Sequence, residues 1–214
     1  MFEDFVKAEN GYIPKYNFNI LDSKLINNLN ELGLRNMRPT QIAAFQATFF
    51  DNAANLSSQP SDFLGNSSTG SGKTHAFLVP IVQKCLNRLR ETTSSNAKRT
   101  PMALIFAHST ALVDGIYQRA LEVVRGTDIK VQIIAGGYPH IQDGYFDIGV
   151  CSIGRFKTHF DQNYDGLQLD LNDLKYLVID EADKMIEFED FYPLFIKMKE
   201  KAVNLCNHVI FCYI

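Results

Sequence analysis

Six short apolar runs alternate with segments of helical spacing, and this alternation restricts what the chain can fold into more than any other feature of it. The runs are Asp62-Phe63-Leu64-Gly65-Asn66, Met102–Ala107, Val131–Ala135, Asp147–Cys151, Leu174–Ile179 and Val209–Tyr213. Between them, Thr74–Arg90, Leu112–Arg125, Gly154–Phe160 and Phe191–Val203 repeat apolar residues three and four apart. Strands apolar along their whole length must be covered on both faces, and strands separated by helices pair in parallel. The expected fold is α/β, a mostly parallel central sheet with helices on both faces, and its ligands belong beyond the carboxyl ends of the strands. An amphipathic helix over Ser23–Leu32, capped by Asp22 or Ser23, precedes the first run. Asp51–Ser61 and Glu91–Pro101, rich in small polar residues and each holding a proline, read as surface loops.

With 214 residues, 46% of them hydrophobic, the chain suits one such domain. A formal net charge of −3 excludes a global basic field, so any nucleic-acid contact has to be local. The four cysteines form no CxxC pair, and Cys85, Cys151 and Cys212 sit in apolar neighbourhoods, as reduced core thiols do. His75, His108, His140, His159 and His208 are scattered without ligand spacing and read as surface or structural residues. The amino terminus has no basic region leading into an apolar stretch, and no run of about 18 apolar residues occurs, so a soluble intracellular protein that does not enter a membrane is expected.

Two segments fall where such a sheet binds ligands. Thr69-Gly70-Ser71-Gly72-Lys73-Thr74 follows the first run and opens a helical segment. Its glycines let consecutive backbone N–H groups converge on phosphate oxygens, Lys73 can reach the β and γ phosphates, and the Thr74 hydroxyl can coordinate Mg²⁺. The strict form of this pattern has glycine six residues before the lysine, and Ser67 stands there. Asp180-Glu181-Ala182-Asp183 follows Leu177-Val178-Ile179. Asp180 is placed to hold Mg²⁺ through a water molecule, and Glu181 to orient or deprotonate an attacking water. Asp183 suits a network linking nucleotide state to the neighbouring surface, although an acidic tetrad can also cap a helix.

With both segments present, the chain from about Tyr16 onward resembles the amino-terminal RecA-like domain of a DEAD-box RNA helicase. The resemblance implies a RecA-like three-layer fold that binds ATP with Mg²⁺ through Ser68, Thr69, Gly70, Ser71, Gly72, Lys73 and Thr74. It makes Gln41, in Gly33-Leu34-Arg35-Asn36-Met37-Arg38-Pro39-Thr40-Gln41, the adenine reader, and Tyr16, with Phe18 as alternative, the aromatic stacked on the base. A carboxamide offers the donor and acceptor that match adenine and mismatch guanine. Gly136-Gly137 and Gly154-Arg155 match elements that contact RNA. Other elements have changed. Pro-Thr-Arg-Glu-Leu-Ala becomes His108-Ser109-Thr110-Ala111-Leu112-Val113, a Thr-Pro becomes Ser152-Ile153, and the segment from Gly137 to Asp147 is shorter. Where the family has Ser-Ala-Thr after the next strand, this chain reads Phe211-Cys212-Tyr213-Ile214, without the hydroxyls that couple the acidic tetrad to RNA.

The expected organisation is an N-terminal extension and flanking helix over 1–36 and a RecA-like ATP-binding domain over 37–214, the first half of a helicase core. A second RecA-like domain supplies arginine fingers worth about 10³ to 10⁵ in rate, so this half alone should be nearly inactive. Cytoplasm, including ribonucleoprotein granules, or nucleus is the expected location, with RNA and possible proteins as partners. Against an ATP-dependent RNA helicase stands a degenerate helicase-like module, an RNA or protein scaffold with weak or vestigial ATPase activity. A small-molecule kinase is disfavoured, because no segment offers the arginine-bearing lid it needs.

Overall fold

The computed structural model describes residues 20–49, 63–66, 70–91, 99–161, 169–202 and 210–213. Most of the loops read at 51–61 and 91–101 lie outside them, as does Cys206. In chain order the elements are α1 (Ser23–Glu31), α2 (Pro39–Phe49), β1 (Phe63–Gly65), α3 (Lys73–Glu91), β2 (Ala103–Phe106), α4 (Thr110–Val124) and β3 (Val131–Ile134). They continue with β4 (Ile148–Cys151), α5 (Ile153–Asp161), β5 (Tyr176–Ile179), α6 (Ala182–Met185), α7 (Phe191–Lys201) and β6 (Ile210–Tyr213). All six apolar runs are strands. They form one sheet in the order β1-β6-β5-β2-β4-β3, parallel throughout.

The strands' apolar content is divided between two cores, one on each face. Ala103 and Ile105 of β2, Ile148 and Val150 of β4, and Tyr176 and Val178 of β5 join a core built with α1 to α4. Their neighbours Leu104, Phe106, Cys151, Leu177 and Ile179 point the other way, into a core built with α5 and α7. This period-2 division in strands that are apolar at every position makes the three layers. Buried Cys85 and Cys151 are free thiols, and burial pushes Cys85 up to about 12 and Cys151 well above the usual range. Among the described residues no helix is long and apolar enough to cross a membrane.

Asp22 is the cap of α1, its carboxylate accepting from the Lys24 N–H at 2.7 Å. Leu25 and Leu29 carry α1 into the first core, and the Asn28 amide donates to the carbonyls of Val123 and Arg125, at 2.9 and 2.8 Å, closing the far end of α4. The flanking helix is therefore packed into the domain. Sequence spacing missed α2. Its stretch Ile42-Ala43-Ala44-Phe45 is apolar on consecutive positions, which hides the helical period, and it packs extensively on α3.

Asp147, fully buried at the entry to β4, is the most costly charge to leave unmatched. Its carboxylate meets Arg88 of α3 at 2.6 Å and Arg99 at 3.6 Å, and accepts the Lys130 N–H at 2.8 Å. Arg88→Met should cost about 3 kcal/mol in urea unfolding, because it strips the closest cation from a buried carboxylate. Arg90→Ala, which removes an exposed partner of Asp22, should cost less than about 1 kcal/mol in the same measurement.

Candidate active site

Parallel strands bring the two diagnostic segments to one edge of the sheet. The phosphate-loop segment leaves β1 and the acidic tetrad leaves β5, with β6 hydrogen-bonded between them. Phe211, Cys212 and Tyr213 are rungs of that intervening strand: Cys212 lies opposite Leu64 on one side and Ile179 on the other. Of the expected phosphate-loop residues, Ser68 and Thr69 lie outside the described residues, together with Ser67, Tyr16 and Phe18.

Gly70 and Gly72 have φ of +76° and +90°, a region that residues with a Cβ avoid. At Gly72 space is missing as well, since a Cβ would stand 2.6 Å from Gln41 Nε2. Gln41 is only 2% exposed. Its Nε2 donates to the Gly72 carbonyl at 3.3 Å, its Oε1 accepts the Arg38 N–H at 2.8 Å, and the Arg38 guanidinium donates to the Gly70 carbonyl. The carboxamide nitrogen and oxygen assigned to adenine by sequence are thus both engaged within the protein, where they latch α2 to the loop. Arg38 was not singled out by sequence, although it stands three residues before Gln41 in the same segment. Lys73 and Thr74 form the first turn of α3, whose leading N–H groups and dipole favour an anion.

Across the edge, Asp180 is 8% exposed and its N–H donates to the Phe106 carbonyl at 2.9 Å. Burial raises its carboxyl pKa, and the charge of Glu181 raises it further. The charges of Lys73 and His108 and a backbone hydrogen bond from Glu181 pull it back, so the lysine of one segment and the carboxylate of the other share one site. Glu181 adopts a left-handed backbone, φ 52° and ψ 55°, which costs a residue with a Cβ about 1–3 kcal/mol. It precedes α6 but does not cap it with its side chain. The carboxylate is held instead by Lys184 Nζ, which donates to Oε2 at 2.8 Å, with His108 Nδ1 3.1 Å from the same oxygen. Asp183 is exposed in the first turn of α6, with no side-chain hydrogen bond among the described residues.

The matched RNA elements also converge. Ile134 is opposite Cys151, so Gly136-Gly137 beyond β3 and Gly154-Arg155 at the start of α5 leave adjacent strands. Gly136, Gly137 and Gly154 are exposed, and Gly136 faces Thr110 of α4. The half-buried Arg155 guanidinium meets His140 Nε2, and His140 Nδ1 lies 3.1 Å from His159 Nε2. Burial, then the charges of His140 and Arg155, lower the pKa of buried His159. The histidines that look scattered in sequence are therefore grouped in space, His140 with His159 and His108 with Glu181. Contacts across 19 and 73 positions leave no local spacing to read.

A family model described as DEAD/DEAH box helicase matches residues 38–211. This chain belongs to that family. Among its relatives, ATP-dependent RNA helicase glh-4 of Caenorhabditis elegans is 29% identical over 182 residues, which are 81% of this chain and 15% of that protein. DEAD-box ATP-dependent RNA helicase 21 of Oryza sativa subsp. japonica is 27% identical over 195 residues, 86% of this chain and 25% of that one. The solved yeast DEAD-box splicing factor Prp28 superposes with a TM-score of 0.70 at 28% identity, over 95% of this chain and 48% of its own. The DEAD-box chain thus spans a quarter or less of these two curated relatives and about half of the solved helicase. The RecA-like α/β fold expected from sequence is the one observed.

Two measurements probe the site's physical cost. A carboxyl whose pKa is raised by folding supports the fold while protonated and weakens it as pH rises through the folded value. Asp180→Asn should therefore raise the melting temperature at pH 7, and the gain should shrink as pH falls toward the ordinary carboxylate value of 3.8. Gly72→Ala should destabilise by more than the roughly 1–3 kcal/mol of backbone strain, because its methyl also meets Gln41. Gly70→Ala, with nothing within 4 Å of the added Cβ, should cost the strain alone.

Proposed function

We propose that this chain is the ATP-binding half of a DEAD-box ATP-dependent RNA helicase. On this reading residues 37–214 form the first RecA-like domain, residues 1–36 an extension with its flanking helix, and a second RecA-like domain completes the enzyme. The observation that carries the proposal is buried Asp180 within electrostatic reach of Lys73, beside a loop bent at Gly70 and Gly72. The hydroxyl of Thr74 and the carboxylate of Asp180 are hard oxygen donors that fit Mg²⁺, and the ion when bound neutralises charge on the β and γ phosphates. Lys73 and the N–H groups at the start of α3 bind those phosphates, and Gln41, with Tyr16 or Phe18, selects adenine once its carboxamide turns from Gly72 and Arg38 to the base. Glu181 orients the attacking water or takes its proton.

RNA binds along the edge carrying Gly136, Gly137, Gly154 and Arg155, and Asp183 transmits nucleotide state. Without the second domain's arginines, hydrolysis by this chain is slow, by about 10³-fold or more. A scaffold with vestigial ATPase activity is the second reading, favoured by the absence of serine and threonine from Phe211-Cys212-Tyr213-Ile214.

Titration with a fluorescent ATP analogue in Mg²⁺ tests the proposal. The chain should bind it, and Lys73→Ala should weaken binding at least about tenfold by removing a phosphate-paired charge. No binding by the unaltered chain, or none lost in Lys73→Ala, rejects it. RNA-stimulated hydrolysis by the parent protein, abolished in Glu181→Gln, separates the enzyme from the scaffold.

A further inference from the structure

The hydrogen-bonded pair β2 and β5 ends in register, Phe106 opposite Ile179, so His108 and Glu181 leave the sheet side by side. His108 immediately precedes Ser109, the cap of α4, whose hydroxyl accepts the Leu112 N–H at 3.3 Å. The backbone beneath the imidazole is thereby anchored at both ends, by the sheet and by the helix. His108 Nδ1 is shielded from solvent and 3.1 Å from Glu181 Oε2, at hydrogen-bond distance but off the hydrogen-bond line. Lys184 Nζ reaches the same oxygen. Both groups gather on Oε2, and among the described residues the carboxylate's other oxygen, Oε1, is the one left to meet water.

The residue at this position has to be able to donate for such an arrangement to work. His108 stands where the matching Pro-Thr-Arg-Glu-Leu-Ala pattern has proline, which has no side-chain donor. The left-handed backbone at Glu181 fixes where its side chain starts, and a grip on one oxygen fixes where the other ends. A carboxylate that orients water works through placement, and misplacement by about 1 Å can cost up to 10²-fold in rate.

We propose that His108 is a positioning residue for ATP hydrolysis: with Lys184 it holds one oxygen of the Glu181 carboxylate so that the other is presented to the attacking water. This rests on the Mg-ATP reading of the site. The bond completes when the ring or the carboxylate rotates into line, and His108 itself touches neither nucleotide nor water.

The test is single-turnover hydrolysis of ATP by the full chain in Mg²⁺, followed over hours, with affinity for a fluorescent ATP analogue measured in parallel. His108→Ala should slow hydrolysis about tenfold with affinity unchanged within twofold, since it loosens placement without touching the phosphate site. His108→Asn, whose amide nitrogen falls where Nδ1 was, should recover most of the rate. His108→Gln, whose nitrogen falls where Nε2 was, should not. If the alanine variant does not fold, the Asn-to-Gln contrast carries the test. Equal rates in Asn and Gln variants, an unslowed alanine variant, or rate and affinity falling together each overturn the role of His108. In those three outcomes nucleotide binding by the unaltered chain still stands, whereas its absence overturns the Mg-ATP reading and His108's role with it.

Discussion

Burial of both faces of a parallel sheet is the constraint from which the site follows. A strand covered above and below has no solvent face on which to display polar groups, so polar chemistry is expelled to strand ends. Parallel pairing then brings all the carboxyl ends to the same edge. Lys73, Asp180, His108, Gly136 and Arg155 come from five different crossings of the sheet and still share that edge. The division of β2, β4 and β5 residues between two cores is what keeps the edge rigid enough to hold them.

The site is assembled against local preference. Asp180 is buried where burial disfavours its charge, Glu181 holds a backbone that a residue with a Cβ avoids, and Gly72 is pressed against Gln41. The first two cost the fold stability, and the third leaves no room for a side chain at Gly72. The Arg88–Asp147 pair and the Asn28 amide at the end of α4 belong to the other category, polar groups buried with their partners supplied. The contrast separates strain and charge gathered at the strand ends from charge that fastens elements together.

Sequence carried the alternation of strands and helices, because unbroken apolar runs and period-3.6 spacing are written locally. It also placed Lys73, Thr74 and Asp180 just beyond strand ends, because the apolar runs that precede them are only a few residues away. It did not carry α2, whose apolar residues run consecutively, nor the Arg38 contact to Gly70. His108 beside Glu181 and His140 beside His159 were invisible for another reason: each pair is joined only by strand order, which local patterning does not reveal. The acidic tetrad read as a possible helix cap, and only the dihedral angles of Glu181 and the position of Lys184 show what the Glu181 side chain does instead.

The strand that launches the phosphate loop sits at the sheet's edge and pairs, among the described strands, with β6, the last element of the chain. Closing so long a stretch of chain is a late and entropically unfavourable event. The loop bearing Lys73 therefore gains its fixed distance from Asp180 only when β6 slots between β1 and β5. β6 is thus the spacer between the two segments, and its register with β1 on one side and β5 on the other sets their separation.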